Sequence, residues 1–527
     1  MLVTERRKRR REISLARRIE SAPGRWLLIF SLVYLVAETC ASARQPFWLD
    51  EIITSYLADL PSATRIWPLI SQGIELNPPL PFWIAWAVRH TLGPGEVMAR
   101  LQAMVGFWLM CVCLYHFVRR RTDQLHGFLA LLLPLFTYTS WSADKARGYG
   151  LLLGFSGLAL LCWQLAADRI GRPLSLAGIA VGIAGAVSCH YYALYVAAAL
   201  ALGEAVRTFD RKRVDTSIWF AFAVGGSPLV IYLPLIRTAA KGLRTFWIPP
   251  AAEYLYSSYA DLLGPTTIVL FLFLAITIWN SGLNQEQWKP GTLGRHELFT
   301  ILALAAMPLV VYLTTFVAPV GFYSRYVQPV VLGATVLLSV FAYRIGGASE
   351  RFRNLWVTLL VGFCLLPWAI WQTAKIVLMP RPGTVLLHSL DISQEPNLPV
   401  VVDSDNDFMM AYYYAPPEVR ARLYMLADIP SAVRYLGADT SLRSLQLGQT
   451  FRDIHVVDYH EFIATHGEFL LARTLGAGWI TQKLLADGAS LRLVEFKKEL
   501  GTLANDNLLY HVRIAQRTRE AQRTGVP

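Results

Sequence analysis

Charge is scarce in this chain. Asp, Glu, Lys and Arg make up 16% of its 527 residues, against 54% hydrophobic and 12% aromatic. Soluble globular domains carry about 25% charged residues, so that class is excluded for most of the sequence. Cysteine is scarce as well. Cys40, Cys111, Cys113, Cys162, Cys189 and Cys364 lie in or beside apolar runs, and the polar C-terminal part has none. No disulfide framework follows, and Cys111-x-Cys113 would face different sides of a helix, a poor arrangement for a metal. These cysteines read as small buried apolar residues. Also missing is any internal repeat of the kind a two-fold symmetric transporter would show.

What the chain does have is a series of apolar runs of bilayer length. They cover 25–43, 97–118, 124–141, 147–167, 174–189, 190–206, 215–236, 263–280, 298–317, 325–345 and 355–378, about eleven helices of a polytopic membrane protein. The net charge of +12 is concentrated ahead of the first run, in Arg6, Arg7, Lys8, Arg9, Arg10, Arg11, Arg17, Arg18 and Arg25. Such a basic tail is an orientation signal that touches anionic lipid, rather than a nucleic-acid arm. Residues 26–37 followed by Ala41-Ser42-Ala43 resemble a cleavable leader. The basic lead-in is long for one, and a retained helix better anchors the loop that follows.

Sidedness follows from the basic clusters. With the N-terminus in the cytoplasm, Arg119-Arg120-Arg121, Arg169/Arg172, Arg207/Arg211-Lys212-Arg213 and Arg344/Arg351/Arg353 are also inside only if 81–92 does not cross. That segment is short, so it reads as an interfacial helix in the first outer loop. The outer face then carries 44–96, 142–146, 237–262, 318–324 and everything after about 379. The expected organisation is a cytoplasmic tail (1–24), a membrane domain (25–379), an extracytoplasmic α/β domain (380–515) and a polar tail (516–527) in the inner (plasma) membrane.

Composition changes at Pro380-Arg381-Pro382-Gly383, which reads as a linker. Strands are expected at Pro399–Asp403, Arg422–Leu426, Asp453–Val457, Trp479–Gln482, Leu491–Phe496 and Leu508–Ile514, with a helix at Tyr459–Leu475. Alternating strand and helix implies a small α/β domain with a largely parallel sheet. Asp403-x-Asp405-x-Asp407 superficially matches a calcium loop, but Phe408 stands where such a loop needs Gly. It reads instead as a turn with helix-capping acids.

Polar residues cluster at the outer ends of the spans. Asp50 and Glu51 follow Pro46-Phe47-Trp48-Leu49. Adjacent carboxylates repel, and an apolar setting disfavours charge, which suits one of them to accept a proton from a hydroxyl. They equally suit the start of a helix over 52–60. Glu75 and Asn77 precede Pro78-Pro79, which fix the loop. Asp144, Lys145, Arg147 and Tyr149 form one stretch, in which Asp144 and Arg147 would pair on a helix, or the two cations would hold a phosphate. His190, Tyr191 and Tyr192 make a tight outer hairpin; the aromatic belt accounts for them, as does contact with an anion. Asp144 and His190 are also a candidate pair for a divalent ion. Lys241, Arg244, Arg325 and Tyr326 complete a set of outer-face cations and aromatics.

In this order, Asp50-Glu51, Asn77-Pro78-Pro79-Leu80, Asp144-Lys145-Ala146-Arg147-Gly148-Tyr149, His190-Tyr191-Tyr192 and Ser324-Arg325-Tyr326 resemble the GT-C membrane glycosyltransferases, especially the protein O-mannosyltransferase and aminoarabinose (lipid A) transferase group. The likeness covers about residues 25–345. It implies a polyprenyl-phosphate sugar donor lying along the helices, a hydroxyl acceptor, and transfer on the outer face. It also implies Asp50 as base with Glu51 beside it, Arg325 or Lys145/Arg147 on the leaving phosphate, and His190 nearby. Many relatives carry His or Lys where this chain has Asn77, which removes one phosphate contact. Many also work without a metal. The competing expectations are a lipid or polysaccharide transporter, which would need mid-span charge and repeated halves, and a non-catalytic scaffold.

Overall fold

The computed structural model describes residues 19–242, 251–264, 293–318, 320–346, 365–378, 395–474, 478–498 and 506–515, with the isolated positions 268 and 272. Arg244, the linker, residues 516–527, most of the basic tail, most of the expected span 263–280 and the first part of 355–378 lie outside them. The chain forms two compact units. One comprises the described parts of Met1–Cys40, Arg100–Leu233 and Pro250–Thr373, the other those of Ala41–Ala99, Pro234–Pro249 and Ala374–Pro527.

The first unit is helical. Pro23–Ser42, Glu96–Arg119, Tyr149–Ala167 and Arg172–Cys189 are each long and apolar enough to cross a membrane, as the sequence predicts. Thr216–Ile231 with Leu233–Lys241, and Arg295–Ala305 with Met307–Thr314, qualify as bent pairs, while Val330–Arg344 is shorter. The expected span 124–141 is not one α-helix. It runs as α-helix only over Gln124–Leu132 and continues in 3-10 turns through Asp144, because Pro134 has no N–H to donate to the Ala130 carbonyl. The expected span 190–206 is a helix over Ala193–Arg211 that buries Glu204 and Arg207. Cys111, Cys113, Cys162 and Cys189 are buried as expected; Cys40 is exposed.

Two constraints fix this bundle. Where Glu96–Arg119 crosses Tyr149–Ala167, backbone meets backbone. A β-carbon on Gly150 would lie 2.3 Å from the Ala103 carbonyl oxygen, and one on Gly106 2.4 Å from that of Gly150, so only glycine fits and the axes approach closely. At the far end of the same helices, charge closes the bundle. The Arg121 guanidinium donates to both oxygens of buried Glu297 at 2.9 Å and to Asp168 at 2.9 Å, while Arg120 reaches Asp168 at 2.8 Å. Gln164 also donates to Glu297, at 2.8 Å. Alongside, Arg207 holds Glu204 at 2.7 Å and Arg172 holds Asp215 at 2.5 Å. Arg120, Arg121, Arg172 and Arg207 thus all take part in carboxylate pairs at this end of the bundle.

The second unit combines the first loop with a six-stranded sheet. The loop supplies helices Leu49–Ala58, Ile66–Ser71 and Leu80–Leu92; the last, at 13 residues, is too short to span a bilayer. The strands are β1 (Val400–Val402), β2 (Leu423–Ala427), β3 (Val456–Asp458), β4 (Glu468–Thr474), β5 (Ser490–Lys498) and β6 (Asp506–Arg513), in the order β3-β2-β1-β4-β6-β5. Pairings among β3, β2, β1 and β4 are parallel, and β4-β6 and β6-β5 are antiparallel.

Two expectations within this sheet are corrected. Tyr459–Leu475 is a helix only to Thr465, started by the Asp458 side chain accepting from the backbone of His460 and Glu461, and β4 follows. Trp479–Gln482 is no strand but the start of a helix, Trp479–Ala486. Its cap comes from 78 residues away: Asp403 accepts from the Thr481 backbone at 3.2 Å and from the Thr481 hydroxyl. Ser404 caps the next helix, Asp405–Tyr414, by accepting from the backbone of Asp407, so the acid run does sit at a helix start.

Burial pushes the Asp403 carboxyl from 3.8 up to about 6; burial and then the neighbouring Asp403 charge do the same to Asp405. Acids raised on folding hold protons more tightly in the folded state, so their contribution to stability falls as pH rises from about 4 to about 6 and is flat above. The midpoint of thermal unfolding of this unit, followed by fluorescence of buried Trp479, is expected to drop across that window, and Asp405→Asn to flatten the drop. In the helical unit, Arg121→Ala leaves Glu297 buried without its cation and is expected to cost about 3–5 kcal/mol. Exposed Arg211→Ala serves as the control, with an expected change within about 0.5 kcal/mol in detergent-solubilised unfolding.

Candidate active site

The outer motifs of the helical unit converge. The stretch 138–144 is 3-10 helix, Lys145 is extended, and Tyr149 opens the next α-helix behind Gly148. Buried Asp144 faces Lys145 at 3.8 Å. Lys145 lies over the Trp141 ring at 5.5 Å, and Ser142 donates to Gln328 at 2.7 Å, tying this stretch to the segment that carries Arg325.

His190 is at the centre. It stands in the turn between Arg172–Cys189 and Ala193–Arg211, buried, with ring centroids of Tyr149 at 5.7 Å, Tyr192 at 5.2 Å and Tyr326 at 5.0 Å. Its Nδ1 accepts from the Tyr192 backbone N–H at 3.2 Å, which leaves the proton on Nε2. Burial, with the charges of Arg325 and Arg147, pushes the imidazole down to about 3. It is a neutral donor ringed by tyrosines, not a third cation. Arg325 stacks on Tyr323 at 5.0 Å and Tyr326 at 5.6 Å, and Arg147 is buried. The Tyr192 hydroxyl donates to the Gly321 carbonyl. Tyr191 stands apart from this ring contact network, its hydroxyl buried without a partner among the described residues.

The acids lie in the other unit. Asp50 and Glu51 are the second and third residues of Leu49–Ala58, and they are not equivalent. Glu51 is wholly buried and turns back to accept from the Trp48 backbone at 3.4 Å, whereas Asp50 is half-buried. Glu51 thus takes part in the helix start. Glu75 is buried after Gly73, whose φ of +95° makes the turn, and it accepts from Asn77 at 3.4 Å. Lys241 lines a cavity of about 630 Å³ together with Gln72, Thr238, Thr440 and Arg443, a neighbourhood that inspection of the sequence does not suggest. Among the described residues no three His, Cys, Asp or Glu side chains are grouped to hold a metal, so Asp144 and His190 find no third ligand of those types.

Sequence inspection missed the partners of the Asp50 helix. The Phe47 N–H donates to the Tyr414 hydroxyl at 2.8 Å and the Leu49 N–H to Asn406 Oδ1 at 3.0 Å. Their only sequence signal is the aromatic run Tyr412-Tyr413-Tyr414. The neutral His190 gives a direct check: its imidazole is expected to stay uncharged down to pH 5 by nitrogen NMR, and Arg325→Ala to raise its titration point.

Residues 76–236 match the family described as dolichyl-phosphate-mannose-protein mannosyltransferase. Among solved structures, the chain is similar to ArnT from Cupriavidus metallidurans in the apo state, at 14% identity and a TM-score of 0.51, covering 93% of this chain and 98% of that one. It is similar to the same protein bound to undecaprenyl phosphate at 14% identity and a TM-score of 0.52, covering 92% and 98%. Comparison with curated protein sequences gives no match. The matched segment runs from the loop acid Glu75's neighbour through the 3-10 break and the His190 turn, and the chain shares the fold of these solved structures over nearly its whole length.

Proposed function

We propose that this protein moves a sugar from a polyprenyl-phosphate donor to a hydroxyl acceptor on the outer face of the membrane, with the N-terminus cytoplasmic and the C-terminal domain outside. The observation that carries this reading is the convergence of Tyr149, His190, Tyr192 and Tyr326 around one imidazole under the field of Arg147 and Arg325. Three separate stretches of sequence build a buried, cationic, hydrogen-bonding surface suited to a phosphate ester. The undecaprenyl phosphate bound by ArnT is a ligand of that chemistry.

The chemistry follows from charge. The acceptor oxygen attacks the anomeric carbon as its bond to the phosphate oxygen breaks, and the polyprenyl phosphate leaves with the electron pair. Lys145, Arg147 and Arg325 stabilise that developing negative charge, so no acid is needed to protonate the leaving group. Asp50 takes the acceptor's proton. Attack opposite to departure inverts the anomeric configuration, by analogy with inverting glycoside chemistry. Glu51, held in its helix start, shapes the position of Asp50 rather than sharing the proton. Glu75, Asn77 and Lys241 are assigned to substrate contact, together with Tyr191, Arg244 and Tyr326. No step requires a divalent ion at Asp144 and His190.

Incubating the purified protein with a panel of polyprenyl-phosphate sugars, read by mass spectrometry, is expected to show consumption of one donor. Asp50→Asn is expected to lower turnover about 10²–10⁴-fold while binding of undecaprenyl phosphate persists. Arg325→Ala and Arg147→Ala are expected to weaken that binding. Unchanged sugar transfer by Asp50→Asn would rule Asp50 out as base.

A further inference from the structure

The helix that carries Asp50 draws on residues far along the chain as well as on its own Glu51 to satisfy its start. The residue before it is Trp48, whose side chain has no oxygen to accept from the first backbone N–H groups. Helix starts ordinarily satisfy those donors with Ser, Thr, Asp or Asn. Here three consecutive N–H groups leading into the helix meet side-chain acceptors. Phe47 donates to Tyr414, Trp48 to Glu51 and Leu49 to Asn406. Two of the three acceptors belong to one helix of the C-terminal domain, Asp405–Tyr414, more than 350 residues along the chain.

The arrangement is complete at each member. The Tyr414 hydroxyl accepts from Phe47 and gives its own proton to Glu96 at 3.1 Å. Asn406 turns its carbonyl oxygen to Leu49 and its amide towards Asp407 at 3.4 Å, which fixes the orientation of the side chain. The opposite end of the Asp50 helix is held as well. Asp59 pairs with Arg452 at 2.7 Å, and the Arg452 guanidinium lies over Tyr56 at 4.9 Å. Ser55 and Tyr413 share a hydrogen bond at 3.4 Å midway. A ten-residue helix is thus gripped at its start, middle and end by a domain that contributes no acid to the proposed chemistry.

We propose that Asn406 and Tyr414 are positioning residues for transfer: the C-terminal domain caps the Asp50 helix in trans and thereby sets the direction of the Asp50 carboxylate. This rests on Asp50 acting as the base. A carboxylate one residue inside a helix start turns with that first turn, and fraying of the turn moves it by more than the tolerance of a proton transfer. The domain then acts on the rate of the chemical step and not on the hold on the lipid donor.

The test uses the full chain in detergent or nanodiscs, with hydrogen exchange of peptides covering 46–52 and kinetics on the donor found to be consumed. Asn406→Ala is expected to speed exchange of those amides about tenfold. It is also expected to lower kcat about 10- to 100-fold with KM for the donor unchanged. Asn406→Asp keeps an oxygen at the same place and is expected to restore both. Tyr414→Phe is expected to reproduce the loss. Unchanged exchange in Asn406→Ala, or a fall in kcat that Asn406→Asp does not recover, overturns the proposal. Asp50→Asn is measured alongside: if it transfers sugar normally, the base assignment fails first and the positioning role with it, a result distinguishable from an unaltered amide signal.

Discussion

Glu297 is a carboxylate sealed completely inside a helical bundle, and the structure must answer for it. A charge so placed is costly unless paired and hydrogen-bonded. Arg121 meets it with two bonds, Gln164 adds a third, and the backbone of Gly294 a fourth at 3.0 Å. Because Arg121 also binds Asp168, the ends of three helices are fixed to one another by a single guanidinium. Arg172–Cys189 starts within the neighbouring charge network and ends at His190, about 27 Å away by helical rise. Tyr149–Ala167 likewise starts at the candidate site and ends at Asp168. The helices that present the outer motifs are therefore anchored at their opposite ends.

Within the outer cluster, neutrality matters as much as charge. A protonated imidazole beside Arg147 and Arg325 would add a third positive group to a buried space. Burial and those two cations exclude it, and the Tyr192 backbone fixes which nitrogen keeps the proton. The ring can then donate a hydrogen bond while the guanidiniums supply charge. Tyrosines around it give a polar edge and an apolar face, which suits a ligand with a phosphate at one end and hydrocarbon at the other.

Much of this was legible in the sequence, for physical reasons. Bilayer-length apolar runs announce themselves by composition, and the short helix expected at 81–92 is there as Leu80–Leu92, 13 residues long. The residues around His190 were each visible as polar or aromatic breaks at span ends. What escaped inspection depended on partners distant in the chain. Trp479–Gln482 reads as a strand until Asp403 is seen capping the helix that starts there. Phe469-Leu470-Leu471 continues the apolar pattern of the preceding helix, and only pairing with β1 and β6 on either side makes it β4. The helical expectation for 124–141 gave too little weight to Pro134. That Glu51 turns back to the Trp48 backbone was likewise invisible in the sequence.

The glycine seam limits how the bundle can move. Ala103, Gly106, Gly150 and Gly154 leave no side chains between two helices that could rotate or slide to open a gap. That pair behaves as a single stiff post. Bending within the bundle then falls to helices that carry a break, such as those interrupted at Ala306 and at Tyr232.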